Sequence, residues 1–172
     1  MSIGTVLTDQ LAQLAAGKIT PARNADGTLT LSTGADADAA SLTIFEYDRF
    51  SATLRTLAVG SPPPPDDDRR AFLSARAAAI ARRLSFLEEP LAVWELDGRE
   101  GLAQLRSSPP RRDGECVEYW EVELFARPAS ATLTRYRWAP GMAEREVVAY
   151  PAAFGLLGRI ADALAAAVRG EG

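Results

Sequence analysis

Histidine is missing from the 172 residues of this chain. Histidine is the base of Ser-His-Asp and Cys-His catalytic sites, a common metal ligand, and the side chain that titrates near neutral pH. Its absence excludes those kinds of site. No other motif for catalysis, for a cofactor or for a metal stands out in the sequence. We therefore expect a non-catalytic chain that holds neither a cofactor nor a metal.

Cysteine and long hydrophobic runs are also scarce. Cys116 is the single cysteine, so no disulfide can form within the chain, which is typical of a reducing compartment. Residues 1–18 lack the basic start and the unbroken apolar centre of a signal peptide. The longest uncharged run, 147–158, is shorter than the roughly 20 residues that a membrane span needs. We expect a cytoplasmic protein that does not bind membranes.

Lysine occurs once, at Lys18, and every other basic residue is arginine. Together with abundant alanine, this preference indicates a GC-rich and, we expect, bacterial genome. The formal net charge is -4, and no run of basic residues is longer than two. Binding to nucleic acid needs a concentrated positive patch, so we expect no nucleic-acid partner.

The length and the apolar fraction of the chain predict one α+β domain. Its predicted N-terminal part, 1–60, contains a helix, one or two strands and a short helix. A proline-rich connector at 61–66 follows. The remainder, 67–172, is predicted to form a long helix, an antiparallel sheet and a C-terminal helix.

Apolar residues in the N-terminal part recur at helical spacing and predict a helix over 3–16, with Gly17 just past its end. A short strand is predicted at 28–32. The β-branched and aromatic residues of 42–47 favour a second strand, followed by a helix over 48–58. Apolar residues also line up on one helical face across this region, so a single helix over 38–58 is an open alternative.

Two longer helices are predicted further along the chain. The first begins at the acidic residues 66–68 and ends before Pro90. Glu88 and Glu89 lie at the unfavourable end of its dipole, for which the sequence offers no reason. The second helix begins at Pro151. The predicted buried stripes are Leu73, Ala77, Ile80, Leu84 and Leu87 in the first helix, and Phe154, Leu157, Ile160, Leu164 and Val168 in the second, where Gly155 and Gly158 would allow close approach.

Five strands are predicted between these two helices as an antiparallel meander, within a sheet of about five to seven strands. Residues 91–96 and 102–106 flank Asp97-Gly98, a strong hairpin signal, and 117–150 predicts three more strands. We expect the helices to cover the face that carries Trp94, Trp120 and Trp138. The order of elements is similar to that of helix-grip (START-like) folds and, more loosely, to secretion-chaperone-like α/β sandwiches.

The register of the last three strands follows from keeping apolar residues on one face. A turn at 128–130 would place Trp120 opposite Trp138, and Glu121 opposite Arg137. A second turn at 140–141 would place Arg135 and Arg137 each between two glutamates. The opposite face then mixes charged with aromatic residues, which is typical of a binding surface. We predict a partner surface composed of Tyr119, Glu121, Glu123, Phe125, Leu133, Arg135, Arg137, Glu144 and Glu146.

Arginines near the proline-rich segment 107–115 form a candidate anion-binding loop, because guanidinium groups bind phosphate and carboxylate groups through paired hydrogen bonds. These arginines are Arg106, Arg111 and Arg112. A plain hairpin loop is the alternative. Asp36 and Asp38 lack the glycine and the distal glutamate of a calcium loop, so no calcium site is expected there.

Two functional hypotheses follow from these patterns. The first is a small interaction or accessory domain without catalysis, which binds a protein partner or a second copy of itself. Its contact surface would be the charged and aromatic sheet face or the C-terminal helix. The alternative is a small-molecule-binding protein or enzyme, with a cavity between the sheet and the C-terminal helix that is lined by Trp94, Trp120 and Tyr136.

Overall fold

One antiparallel sheet with helices on one of its faces forms the body of the protein. The structure is a computed structural model and describes residues 1–35, 38–62 and 68–171. The predicted α+β class is confirmed. Within these ranges the helices are α1 (Ile3–Ala15), α2 (Arg69–Arg83) and α3 (Phe154–Arg169). The strands are β1 (Leu29–Ala35), β2 (Asp38–Tyr47), β3 (Ser51–Gly60), β4 (Leu91–Asp97), β5 (Leu102–Ser107), β6 (Arg111–Asp113), β7 (Cys116–Ala126), β8 (Ala129–Trp138), β9 (Glu146–Val147) and β10 (Tyr150–Ala153).

Seven of the strands form a continuous path in the order β1-β2-β3-β8-β7-β5-β4. Three short strands extend it, because β6 pairs with β7, β9 with β8, and β10 with β3. The helices cover one face, α1 over β1, α3 over β3 and β8, and α2 over β4, β5 and β7. We call the opposite side of the sheet the open face. None of the helices in the described ranges is long and apolar enough to cross a membrane.

The first helix forms as predicted, because its leucines meet the sheet at helical spacing. Leu7, Leu11 and Leu14 are buried. The Ser2 side chain accepts a hydrogen bond from the Thr5 amide and so caps the helix.

The region 38–58 contains the predicted strand, within β2, but neither the favoured helix over 48–58 nor the alternative single helix over 38–58. It forms a hairpin of two ten-residue strands, β2 and β3. The Asp48 side chain accepts hydrogen bonds from the amides of Phe50 and Ser51 and stabilises the turn, rather than capping a helix. An extra residue in β3 near Arg55 shifts the register. The inward residues Ala52, Leu54, Leu57 and Val59 are therefore unevenly spaced, and this spacing resembles a helical pattern.

The second helix is shorter than predicted. Asp68 caps it by accepting a hydrogen bond from the Ala71 amide, but the helix ends at Arg83 instead of before Pro90. The predicted stripe from Leu73 to Leu87 is buried throughout, because the chain continues as a series of turns over the same part of the core. Most of the predicted connector 61–66 lies outside the described residues, as does Asp36.

The hairpin around Asp97-Gly98 forms as predicted, but the three tryptophans do not share a face. Trp120 is fully buried beneath the helices, whereas Trp94 is 66% exposed and Trp138 is 39% exposed. Part of the predicted loop 107–115 is a strand, β6, which pairs with β7.

The predicted register of β7 and β8 is wrong by three residues. Their turn consists of Arg127 and Pro128 alone, and Trp120 lies opposite Arg135 rather than Trp138. Since neighbouring side chains alternate between faces, an odd shift exchanges the two faces of β8. Arg135 consequently lies on the helix-covered face, together with Trp120.

The strands β3 and β8 pair with each other over only part of their length. Residues 56–60 of β3 pair with β8, and residues 51–54 pair with β10 instead. The chain from β9 to β10 fills the gap between the two strands. Arg137 lies opposite Glu146 and not Glu144, so the predicted second register is wrong by two residues. Pro151 belongs to β10, and α3 begins three residues later.

The last helix buries its predicted stripe, with Phe154 half-buried at its start. It crosses α1 at two glycines. A Cβ atom on Gly158 would lie 2.9 Å from the Gly4 carbonyl oxygen and 2.9 Å from Thr8 Oγ1. The predicted close approach is confirmed at Gly158 but not at Gly155, where a Cβ would meet no atom within 4 Å among the described residues.

Candidate functional site

The predicted partner surface divides between the two faces of the sheet. The residues from β7 (Tyr119, Glu121, Glu123 and Phe125) lie on the open face, and those from β8 (Leu133, Arg135 and Arg137) lie on the helix-covered face. Leu133 and Arg135 are buried there, so neither can contact a partner in this fold. Glu146 pairs with Arg137, and Glu144 is exposed in the segment that joins β8 to β9.

Arg135 is the centre of a cluster of polar groups beneath the helices. Its Nη1 atom donates to Glu89 Oε1 at 2.9 Å, and its Nε atom donates to Glu118 Oε2 at 3.3 Å. The side chains of Arg135 and Glu89 are only 1% and 9% exposed. We call this group, with Ser107, Trp120 and Tyr150, the buried cluster.

Neighbouring groups complete the buried cluster. The Ser107 hydroxyl donates to Glu89 Oε1 at 3.0 Å and accepts from the Trp120 amide at 2.7 Å. The guanidinium of Arg135 lies 5.1 Å from the centre of the Trp120 ring and 5.6 Å from that of Tyr150. Burial raises the pKa of Tyr150, and the negative charge of Glu88 raises it further.

The buried cluster explains the position of Glu89, for which the sequence offered no reason. Glu89 lies beyond the end of α2, so it is not opposed by the helix dipole. It pairs with Arg135, a strand residue 46 positions further along the chain. Its partners are buried with it, and we assign the cluster a structural role. It fastens the segment after α2 to the sheet.

A second cluster lies on the open face, around Glu121. Arg106 Nε donates to Glu121 Oε1 at 2.9 Å. Arg145 binds the same carboxylate with two hydrogen bonds, Nη1 to Oε1 and Nη2 to Oε2, each 2.9 Å long. The Glu121 side chain is 1% exposed although it lies on the open face, because the two arginines cover it.

Aromatic rings flank both of these arginines. The Arg106 guanidinium lies 5.0 Å from the centre of the Trp94 ring and 5.3 Å from that of Tyr119. The Arg145 guanidinium lies 3.7 Å from the centre of the Tyr136 ring. We call the set Trp94, Arg106, Tyr119, Glu121, Tyr136 and Arg145 the open-face cluster.

The surroundings of Arg145 favour its charged form. Partial burial opposes the charged form of Arg145, but its hydrogen bonds to Glu121 and Tyr119 outweigh this effect and raise the pKa of Arg145. Two guanidinium groups against one carboxylate leave an excess of one positive charge. Arg106 contacts Glu121 through its Nε atom. Its two terminal nitrogens make no hydrogen bond with any of the described residues.

Sequence reasoning found only part of the open-face cluster. Tyr119 and Glu121 were predicted as part of the partner surface. Trp94 and Tyr136 were predicted on the opposite, helix-covered side, and Arg106 at the end of a strand as part of the candidate anion loop. Arg145 was not predicted, because it reaches the cluster from the irregular segment between β8 and β9, whose path no periodicity reveals.

The candidate anion loop does not assemble as one group. Arg106 is a β5 residue bound to Glu121, whereas Arg111 and Arg112 are exposed on β6. Arg111 lines a small cleft of about 230 Å³ with Asp113, Cys116, Glu118 and Arg137. This cleft carries as many carboxylates as arginines, so no excess of positive charge favours an anion there.

The three aromatic residues expected to line a cavity also lie apart. Trp120 faces the helices, whereas Trp94 and Tyr136 belong to the open face. The interface between α3 and the sheet is filled by Leu157, Ile160, Leu164 and Val168, all fully or almost fully buried. A cleft of about 780 Å³ lies instead among the helices, lined by Arg83, Arg159, Arg169, Asp38, Asp162 and Glu171 with several apolar residues.

Within the described ranges, no group of three or more His, Cys, Asp or Glu side chains is arranged so that it could hold a metal ion. Comparison with known proteins does not supply a function either. No family model, no curated protein and no solved structure matches the chain.

Proposed function

We propose that this chain is a non-catalytic interaction domain that binds a protein partner through the open-face cluster. The observation that supports the proposal is the exposed Trp94 ring beside Arg106, whose terminal nitrogens are left available by the contact with Glu121. Tryptophan, tyrosine and arginine are the residues that most often dominate binding energy at protein interfaces.

The geometry supports tight binding because the arginines are held in place before a partner arrives. Glu121 fixes both guanidinium groups, and the rings of Tyr119 and Tyr136 lie beside them. Groups that are already ordered lose little conformational entropy on association. The excess positive charge favours a partner that presents a carboxylate to Arg106, next to an apolar group that covers Trp94.

The small-molecule alternative has less support. Its cavity required Trp94, Trp120 and Tyr136 on one side of the sheet, and its space is occupied by the buried stripe of α3.

Substitutions within the cluster test the proposal. The wild-type chain and the variants Trp94→Ala, Arg106→Ala and Val93→Ala would be used to capture proteins from an extract of the source organism. A captured protein would then be purified and its Kd measured. Val93 is the matched control, because it is 49% exposed on the same strand but lies opposite Leu105, away from the cluster.

We expect Trp94→Ala and Arg106→Ala each to weaken binding by about 30-fold, since truncation of an interface hot spot costs about 2 kcal/mol or more. Val93→Ala should bind like the wild type. Circular dichroism would verify that all the variants fold. If the same proteins were captured equally by every variant, the open-face cluster would not be the binding surface.

A further inference from the structure

The strand β1 lies at one edge of the described sheet and has the properties of a strand that accepts another strand. It pairs only with β2 among the described strands, in a continuous register without a shift. Its sequence, LTLSTGA, contains neither a charged residue nor a proline. Edge strands of monomeric proteins usually carry such residues or a bulge, because an unprotected edge pairs with other chains.

The opposite edge of the sheet carries the protection that β1 lacks. The strand β4 has a register shift between Val93 and Glu95, and it contains two acidic residues, Glu95 and Asp97. The sheet therefore protects its β4 edge against pairing with other chains and leaves its β1 edge unprotected.

The helix that covers β1 shows the same lack of charge. The 13 residues of α1 and the 7 residues of β1 together include one charged residue, Asp9, although 24% of the whole chain is charged. Depletion of charged residues is typical of the centre of a protein interface.

The edge is also ordered before any second strand arrives. Leu29 and Leu31 are buried, while Ser32 on the open face is exposed. The Gln10 side chain donates a hydrogen bond to the Ser32 carbonyl at 3.0 Å. A carbonyl oxygen can accept two hydrogen bonds, so this contact does not prevent strand pairing.

We propose that two copies of this chain associate through their β1 strands, which pair antiparallel about a two-fold axis and join the two sheets into one. A two-fold contact places the same surface on both copies, and the uncharged β1 and α1 surfaces meet without like-charge repulsion. The contact involves the sheet edge and not the open-face cluster, so it is independent of the proposed partner binding.

Sedimentation velocity over a range of concentrations tests this proposal. The wild-type chain should sediment with twice the monomer mass of 18.4 kDa. Ser32→Lys should give the monomer, because like charges lie close together when the two edges pair. Val93→Lys places the same charge on the other edge strand and should leave the dimer unchanged.

Cysteine cross-linking locates the contact independently of stability. Thr30→Cys or Ser32→Cys, each combined with Cys116→Ser, should form a covalent dimer with a short thiol-specific cross-linker. Val93→Cys in the same background should not. A monomeric wild type, a dimer that survives Ser32→Lys, or a dimer that neither β1 cysteine cross-links would each overturn the proposal.

Discussion

The buried ion pair between Arg135 and Glu89 allows a quantitative test of the fold. Replacing Arg135 with methionine keeps a long side chain in the same space but removes the ion pair with Glu89. Of the hydrogen bonds described above for the Glu89 carboxylate, only the one from the Ser107 hydroxyl remains. Removing one partner of a buried ion pair destabilises a protein by about 3–5 kcal/mol, because the other charge remains buried without compensation.

This loss of stability converts into a large change in melting temperature. For a chain of this size, about 1 kcal/mol corresponds to roughly 2–4 °C, so Arg135→Met should lower Tm by roughly 6–20 °C. Arg137→Met is the matched control, since Arg137 lies two residues along the same strand and also pairs with a glutamate, Glu146. That pair is 43% and 61% exposed, so solvent screens it and its loss should change Tm little.

Urea unfolding of a double-mutant cycle completes the test. If Arg135 and Glu89 stabilise each other, Glu89→Gln combined with Arg135→Met should be less unstable than the sum of the two single variants. Additive effects, or an effect of Arg135→Met no larger than that of Arg137→Met, would refute the assigned register and burial.

Two further predictions concern Asp26, in the loop before β1, and the crossing of α1 with α3. Hydrogen bonds from the Thr28 hydroxyl and amide lower the pKa of Asp26 from 3.8 to about 2 in the folded chain. Ionised Asp26 therefore stabilises the fold at pH values above the pKa that Asp26 has in the unfolded chain. This contribution is lost as the pH falls toward 2. Urea unfolding of Asp26→Asn and of the wild type should therefore differ at neutral pH and converge between about pH 4 and pH 2; a constant difference would contradict the assignment. Gly158→Ala should lower stability by about 1–3 kcal/mol because its Cβ would press on the Gly4 carbonyl, whereas Gly155→Ala, with open space around it, should be neutral or stabilising in thermal unfolding. Equal effects at the two glycines would show that the helices do not cross there.

The helices were the most predictable part of the fold. In α1 and α3 the leucines occur at helical spacing along a single stripe, and the same residues are buried in the structure. The length of α2 was overestimated, because turns after Arg83 continue to bury Leu84 and Leu87 at helix-like intervals.

The predicted register of β8 is wrong because it turns the aromatic residues Tyr136 and Trp138 toward the core. In the structure both lie on the open face. A signal for the correct face exists at the start of the strand, where Ala129, Ala131 and Leu133 alternate with Ser130, Thr132 and Thr134. The small apolar residues face the helices, and Arg135 follows them inward because it has the same parity and finds a carboxylate there.

Other parts of the candidate sites were beyond local patterns. The pairing of Glu89 with Arg135 joins distant segments of the chain, and Arg145 approaches Glu121 from an irregular segment. Such contacts depend on tertiary geometry, and neither hydrophobic periodicity nor turn chemistry encodes them.

The incomplete pairing of β3 with β8 has a consequence for how the chain folds. The strands β1 to β3 form one set of local hairpins, and β4, β5, β7 and β8 form another. Among the described strands, the two sets meet where β3 lies against β8 and β10: residues 56–60 pair with residues 130–134, and residues 51–54 pair with residues 150–153. The entropy cost of closing long loops is therefore greatest for this line and for the crossing of α1 with α3, whereas pairing within each set of strands closes short loops.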